Sequence, residues 1–159
     1  MRITVITVGK LKEKYFIAAS AEYEKRLGAW CKTEFHEIEP TRLPESPSNA
    51  EIEKALKTEA QKIERLIPAQ AAVIPLCIEG KMLSSDELSR KIENWKLSGI
   101  SHLCFIIGGS YGLAPSVKER ADLKLSMSPM TFPHRLARVM LLEQLYRAFK
   151  ISEGSAYHK

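Results

Sequence analysis

The sequence HLCFIIGGSYG, residues 102–112, decides the fold of this chain. Its first six residues form the apolar run expected of a buried β-strand, and three glycines fall within the next five residues. Glycine lets the backbone approach a ligand without an intervening Cβ, and it adopts conformations that other residues avoid. The segment is therefore compatible with a small-molecule cleft at the carboxyl end of a strand, and taken alone it favours the alternative of a tight turn without a ligand.

Strand-like and helix-like patterns alternate along the chain on either side of this segment. Strands are predicted at residues 2–8, 31–39, 72–78, 102–107 and 123–126. Helices are predicted at residues 14–27, 48–67, 84–97, 115–120 and 134–150, the second and third opening with capping boxes at Ser48 and Ser84. This alternation predicts an α/β fold, a mainly parallel sheet flanked by helices, in one domain spanning residues 1–159.

Composition and charge indicate a globular protein with an anionic partner. The 159 residues are 45% hydrophobic, enough for one compact core, and the net charge is +5. The predicted helix at 134–150 carries Arg135, Arg138, Arg147 and Lys150 against the single acid Glu143, which favours a phosphate-bearing partner beside the cleft. No stretch approaches the roughly 18 apolar residues of a membrane span, and residues 1–9 do not resemble a signal peptide. A cytoplasmic location without membrane association is expected.

Several classes of site are disfavoured by the motifs that the chain lacks. Cys31, Cys77 and Cys104 are odd in number and widely spaced, which fits neither a disulfide framework nor a zinc site, so no metal is expected. The glycine cluster has neither the Gly-Lys-Ser/Thr ending of a phosphate-binding loop nor the G-x-G-x-x-G spacing of a dinucleotide site. Hydrolase and metalloenzyme motifs are also missing from the sequence.

A second loop, SMSPMTFP at residues 126–133, raises the case for a ligand. Apolar side chains, two prolines and free backbone donors suit a flat heteroaromatic ring. The alternative is that Met127, Met130 and Phe132 only fill the core beneath a connection. The chain then ends in Tyr157, His158 and Lys159, which could stack on a base, move a proton and pair with a phosphate, although terminal tripeptides are usually frayed.

Motifs along essentially the whole chain resemble those of the SPOUT, or α/β-knot, methyltransferases. Any one of these motifs is unspecific, but together and in this order they are specific. Among them are VGK at 8–10, EGK at 79–81, IGG at 107–109, TFPH at 131–134, EQLYRA at 143–148 and AYHK at 156–159. The chain is most similar to the small bacterial members of the family that act on 23S ribosomal RNA, in the large subunit.

The resemblance implies a trefoil knot in the C-terminal part, with an S-adenosylmethionine pocket inside it. It also implies a homodimer in which the knot helices pack together and each active site is composite. The cofactor contacts that it implies are Leu76, Gly108, Met127, Ser128, Pro129, Met130, Thr131 and Phe132.

The implied reaction is methylation of N3 of a pseudouridine in 23S ribosomal RNA, on assembled ribosomes. In our hypothesis His158 helps to remove the N3 proton and Tyr157 positions the base, while Arg135, Arg138 and Lys159 hold phosphates. Two alternatives stay open: a SPOUT methyltransferase for another RNA, and a ribosome-binding protein without catalysis. Whether Cys77 contacts the cofactor is also open.

Overall fold

A computed structural model describes residues 1–154 and has a five-stranded sheet flanked by helices. The strands are β1 (Arg2–Val8), β2 (Lys32–Ile38), β3 (Ala72–Met82), β4 (His102–Ile107) and β5 (Leu125–Ser126). The helices are α1 (Lys14–Leu27), α2 (Asn49–Leu66), α3 (Ser85–Leu97), α4 (Pro115–Glu119) and α5 (His134–Ser152). The strand order is β2-β1-β4-β3-β5 and every pairing is parallel, which confirms the predicted α/β class.

The two central strands are buried because helices cover both faces of the sheet. All of β4 is buried, and β1 is buried from Ile3 onward. On one face Val5 and Phe105 belong to a core cluster with Leu141 and Leu145 of α5. On the other face Ile106 belongs to a cluster that includes residues of α2 and α4. Parallel strands covered on both faces show continuous apolar runs, as these strands do.

Both predicted capping boxes are confirmed. The Ser48 hydroxyl accepts a hydrogen bond from the Glu51 amide, and the Glu51 carboxylate accepts one from the Ser48 amide at 2.8 Å. Ser84 and Glu87 make the same reciprocal pair at the start of α3. Each box satisfies amide groups that have no partner inside the helix, and so fixes where the helix begins.

The largest difference from the sequence prediction is at β3, which runs to Met82 instead of ending near residue 78. Its last residues pair with β5 after a register shift between Leu76 and Lys81, and the Lys81 amide donates to the Lys124 carbonyl at 2.8 Å. The polar sequence Glu79-Gly80-Lys81 lacks a strand pattern, so only the partner segment reveals this extension. Within residues 1–154 no helix is long and apolar enough to span a bilayer.

Candidate functional site

A cavity of about 390 Å³ opens at the carboxyl ends of β3 and β4. Its walls come from these strand ends, from the glycine segment 108–112, from the loop 126–132 and from the start of α5. It brings together seven of the eight residues expected to contact a cofactor: Leu76, Gly108, Met127, Ser128, Met130, Thr131 and Phe132. Pro129 is not among the residues that line it. The cleft predicted from the glycine cluster therefore exists, while binding at these residues stays a prediction.

The glycine segment makes a tight turn beside the cavity. The Gly112 amide donates to the Gly109 carbonyl at 3.0 Å, and Gly112 has φ +79°, a conformation that disfavours other residues. A Cβ on Gly108 would lie 2.4 Å from the Gly112 carbonyl oxygen. Gly108 is therefore required by the close approach of two backbone segments, whereas the sequence predicted an approach of the backbone to a ligand.

The second loop both fills part of the core and lines the cavity, and its contact with a ligand stays a prediction. Met127 and Phe132 are partly buried, pack against the core and also line the cavity. Met130 is 72% exposed and its amide donates to the Ser128 hydroxyl at 3.0 Å. The loop thus presents an apolar wall toward the cavity and an exposed methionine at its rim.

His134 lies where α5 meets the cavity, and sequence reasoning assigned it no specific partner. Its imidazole packs on Gly9, where a Cβ would lie 2.5 Å from Nε2. Nε2 is buried and has no hydrogen-bond partner within residues 1–154. Burial and the neighbouring Arg135 charge lower the His134 pKa from its usual 6.5, so the ring is neutral at pH 7. The glycine at position 9 is the sequence signal that could have pointed to this contact. Its φ of +109° is one that residues with a side chain rarely adopt.

An ion pair between Glu79 and Lys118 stands at the cavity wall. Glu79 is on β3, and Lys118 is on the short helix α4. The hydrogen bond from Lys118 lowers the Glu79 pKa. The Cys77 thiol also lines the cavity, and burial together with the Glu79 charge raises its pKa, so it is a neutral thiol at pH 7. No sequence pattern joins Glu79 to Lys118, because they come from different elements.

Two of the three arginines of α5, Arg135 and Arg138, are engaged by acids that lie far away in sequence. Arg135 pairs with Glu13, and its Nε donates to the Lys10 carbonyl at 3.3 Å. Arg138 is buried, and its Nη1 donates to Glu37 at 2.7 Å. The count of one acid within the helix therefore overestimated its free positive charge. This placement favours a structural role for Arg138 over the phosphate contact expected from the sequence.

The predicted catalytic residues Tyr157 and His158, and the predicted phosphate ligand Lys159, lie outside the described residues. The last described turn is fixed by Glu153, whose carboxylate accepts a hydrogen bond from Trp30 Nε1 at 2.6 Å. The Trp30 ring also stacks on Phe149, with centroids 5.9 Å apart. No group of three or more potential ligand side chains that could hold a metal occurs in residues 1–154.

The chain matches known proteins over all or nearly all of its length. A family model described as "Predicted SPOUT methyltransferase" matches residues 1–158. A protein of Bifidobacterium adolescentis named ribosomal RNA large subunit methyltransferase H is 52% identical over 160 residues, and the match covers 100% of both chains. Both matches include every element that forms the cavity.

Proposed function

The chain belongs to the SPOUT methyltransferase family, and from this premise we propose that it transfers a methyl group from S-adenosylmethionine to N3 of a pseudouridine in 23S ribosomal RNA. The name of the 52% identical relative supports ribosomal RNA of the large subunit as the substrate. The observation that carries the proposal is the cavity in which Leu76, Gly108 and the loop 127–132 meet. SPOUT methyltransferases use S-adenosylmethionine, so a site for it is required.

The residues at this cavity fit that cofactor. A volume of about 390 Å³ lies within the usual range for a small-molecule site, and Met127 and Phe132 offer apolar contact to an adenine ring. Gly108 lets the 108–112 turn close against the strand end, which forms one wall of the cavity. When bound, the sulfonium supplies an activated methyl group, so the chain must align the acceptor nitrogen and help to remove its proton.

The terminal tripeptide supplies the groups for the acceptor in this proposal. The His158 imidazole takes the proton from N3, and Tyr157 stacks on or hydrogen-bonds the base to hold it in line. Histidine suits this step because its ordinary pKa is near neutrality. A short tail can reach a base that is already displayed on a ribosome.

Arg135 and Lys159 are assigned to phosphate binding. The Arg135 side chain is 30% exposed, and its pair with Glu13 can open at small cost because partly exposed ion pairs are weak. Arg138 would first have to leave Glu37, and its side chain is only 7% exposed. We therefore propose that Arg138 holds α5 in place. A direct contact between Arg138 and a phosphate is tested by the Arg138→Met variant.

A homodimer with a composite site completes the proposal. An apolar groove of about 390 Å³ lies between α3, β5 and α5, and its lining includes Leu88, Leu125, Met127 and Met140. Met127 lines both this groove and the cavity, so a second copy seated in the groove would stand next to the cofactor. The knot implied by the family belongs to this part of the chain as well.

The test is transfer of labelled methyl from S-adenosylmethionine to intact ribosomes that lack this modification, followed by mass mapping of the labelled nucleotide. Label on a pseudouridine of 23S ribosomal RNA is the expected result, with free 23S RNA as the comparison substrate. Label only on another RNA or another base would contradict the assignment in favour of a different SPOUT substrate. Absence of cofactor binding would favour a ribosome-binding protein without catalysis.

A further inference from the structure

Only two formally charged side chains are found among the described residues that line the cavity, and they are Glu79 and Lys118. His134 is neutral at pH 7 because its pKa is lowered, and the other lining groups are apolar, hydroxyl, thiol or backbone. Glu79 and Lys118 face each other across two elements as an ion pair. The cavity therefore has a mostly uncharged lining and one place where opposite charges are paired, which we call the charged point.

This point is accessible to a ligand. The Lys118 side chain is 25% exposed and that of Glu79 is 55% exposed. The pair is not needed to neutralise a buried charge, since ion pairs at this exposure contribute little to stability. Glu79 stays ionised at neutral pH because the hydrogen bond from Lys118 lowers its pKa.

S-adenosylmethionine has the same division of character. Its adenosine part is uncharged and flat, and its amino-acid end carries an ammonium and a carboxylate a few bonds apart. A zwitterion of this kind is best bound by one cation and one anion held side by side, since each new contact is a charge-assisted hydrogen bond. The adenosine part suits the wall of Met127 and Phe132, which leaves the amino-acid end for the charged point.

We propose that Lys118 and Glu79 bind the amino-acid end of S-adenosylmethionine. Lys118 contacts the carboxylate of the ligand, and Glu79 contacts its ammonium group. This inference rests on the proposed function. In the free protein the two side chains pair with each other. When the zwitterion binds, each side chain pairs with the oppositely charged group of the ligand instead. The pair thereby selects ligands that carry the amino-acid end and rejects adenosine compounds that lack it.

The experiment compares two ligands by calorimetric titration of the full-length protein. S-adenosylhomocysteine carries the amino-acid end, whereas 5′-methylthioadenosine has the same adenosine part without it. The variants are Lys118→Met and Glu79→Gln, and Lys124→Met is the matched control. Lys124 lies close enough to affect the Glu79 pKa but is exposed and does not line the cavity.

Lys118→Met is expected to weaken the binding of S-adenosylhomocysteine about tenfold or more. The affinity for 5′-methylthioadenosine should change by less than about threefold. Glu79→Gln is expected to show the same selectivity, and Lys124→Met should alter neither affinity. Equal weakening of both ligands, or no weakening of either, would overturn the inference and leave the proposed function standing. Failure of the wild-type protein to bind S-adenosylmethionine and S-adenosylhomocysteine would overturn both. Thermal unfolding of each variant establishes that it is folded.

Discussion

Single residues decide the shape of the cavity proposed to bind the cofactor, and Gly108 is the clearest case. Its Cα lies so close to the Gly112 carbonyl that no side chain fits between them. Gly9 has a similar role against the His134 ring, with the added constraint of a positive φ. Both glycines follow strands of the sheet, where the backbone turns away from the core.

Gly108→Ala is expected to lower S-adenosylmethionine affinity at least about tenfold, because the new methyl group must displace the Gly112 carbonyl from the cavity wall. Calorimetric titration measures this. Gly99→Ala is the control: it also introduces a Cβ, but at φ +82° with no atom within 4 Å. The control should lose about 1 kcal/mol of stability and keep its affinity. Equal affinities for wild type and Gly108→Ala would contradict the tight-turn argument.

His134 makes the stability of the fold depend on pH. Its folded-state pKa lies below the usual 6.5, so the unfolded chain binds more protons near that pH. The free energy of unfolding should therefore fall as the pH is lowered from about 7 to about 5. His134→Gln should reduce this slope without abolishing it, since burial also lowers the His102 pKa. Urea unfolding at several pH values provides the measurement, and identical slopes would refute the assignment.

At the scale of elements, α5 is the piece that joins sheet, cavity and chain end. Its apolar face enters the core through Leu141, Leu142 and Leu145, and its first residues line the cavity. Arg138 ties the helix to β2 through Glu37, with its guanidinium carbon 4.1 Å from the centroid of the Phe35 ring. A residue that looked available for RNA is thus part of the attachment between helix and sheet.

Removing either partner of this pair should have unequal effects. Glu37→Gln leaves the buried Arg138 charge with only the more distant carboxylate of Glu24, 3.8 Å from Nη2, and should destabilise the protein by about 2 kcal/mol. Arg138→Met keeps apolar contact with Phe35 and leaves a carboxylate that is 30% exposed, so its cost should be nearer 1 kcal/mol. Denaturant unfolding measures both.

The same Arg138→Met variant tests the phosphate contact. With a structural role, its ribosome affinity should stay within about twofold of wild type. A loss of affinity accompanied by a salt dependence reduced by about one unit of slope would restore Arg138 to the RNA contacts.

At the scale of the whole molecule, the proposed homodimer requires a surface through which two copies would form one site. The groove between α3 and α5 is apolar and adjoins the cavity, and we place the second copy there. Met140→Glu puts a charge in the groove and should give a monomer by light scattering, with methyl transfer lost. Leu97→Glu is the control, because Leu97 is 85% exposed and does not line the groove. A dimeric Met140→Glu variant would contradict this interface.

The composite site predicts complementation between two inactive variants. A chain ending at residue 154 lacks the tail, and Gly108→Ala lacks a working cofactor cavity. When the two variants are unfolded, mixed and refolded together, half of the dimers should contain one chain of each kind. Each mixed dimer holds one complete site out of two, so roughly a quarter of wild-type methyl transfer to ribosomes should return. No recovery, despite demonstrated mixed dimers, would place the tail and the cofactor on the same chain.

Much of the fold follows from local sequence. The capping boxes at Ser48 and Ser84 fix two helix starts, and the apolar run 102–107 together with its glycines predicts both the central strand and the cleft at its end. The helix starts and the strand depend on neighbours within a few residues, so the sequence alone determines them, whereas the other walls of the cleft come from β3, the loop 126–132 and α5. The resemblance to SPOUT methyltransferases, confirmed by the full-length match, added the chemistry of the ligand.

Only the tertiary structure decided the long-range partners. The extension of β3 depends on β5, the ion pair of Arg138 depends on β2, and the pairing of Glu79 with Lys118 depends on how α4 folds back to the end of β3. Each of these contacts joins residues about 40 or more positions apart in the sequence. No periodicity or local motif predicts a contact over such a separation. They form because the parallel sheet places its strand ends side by side and packs the helices over them.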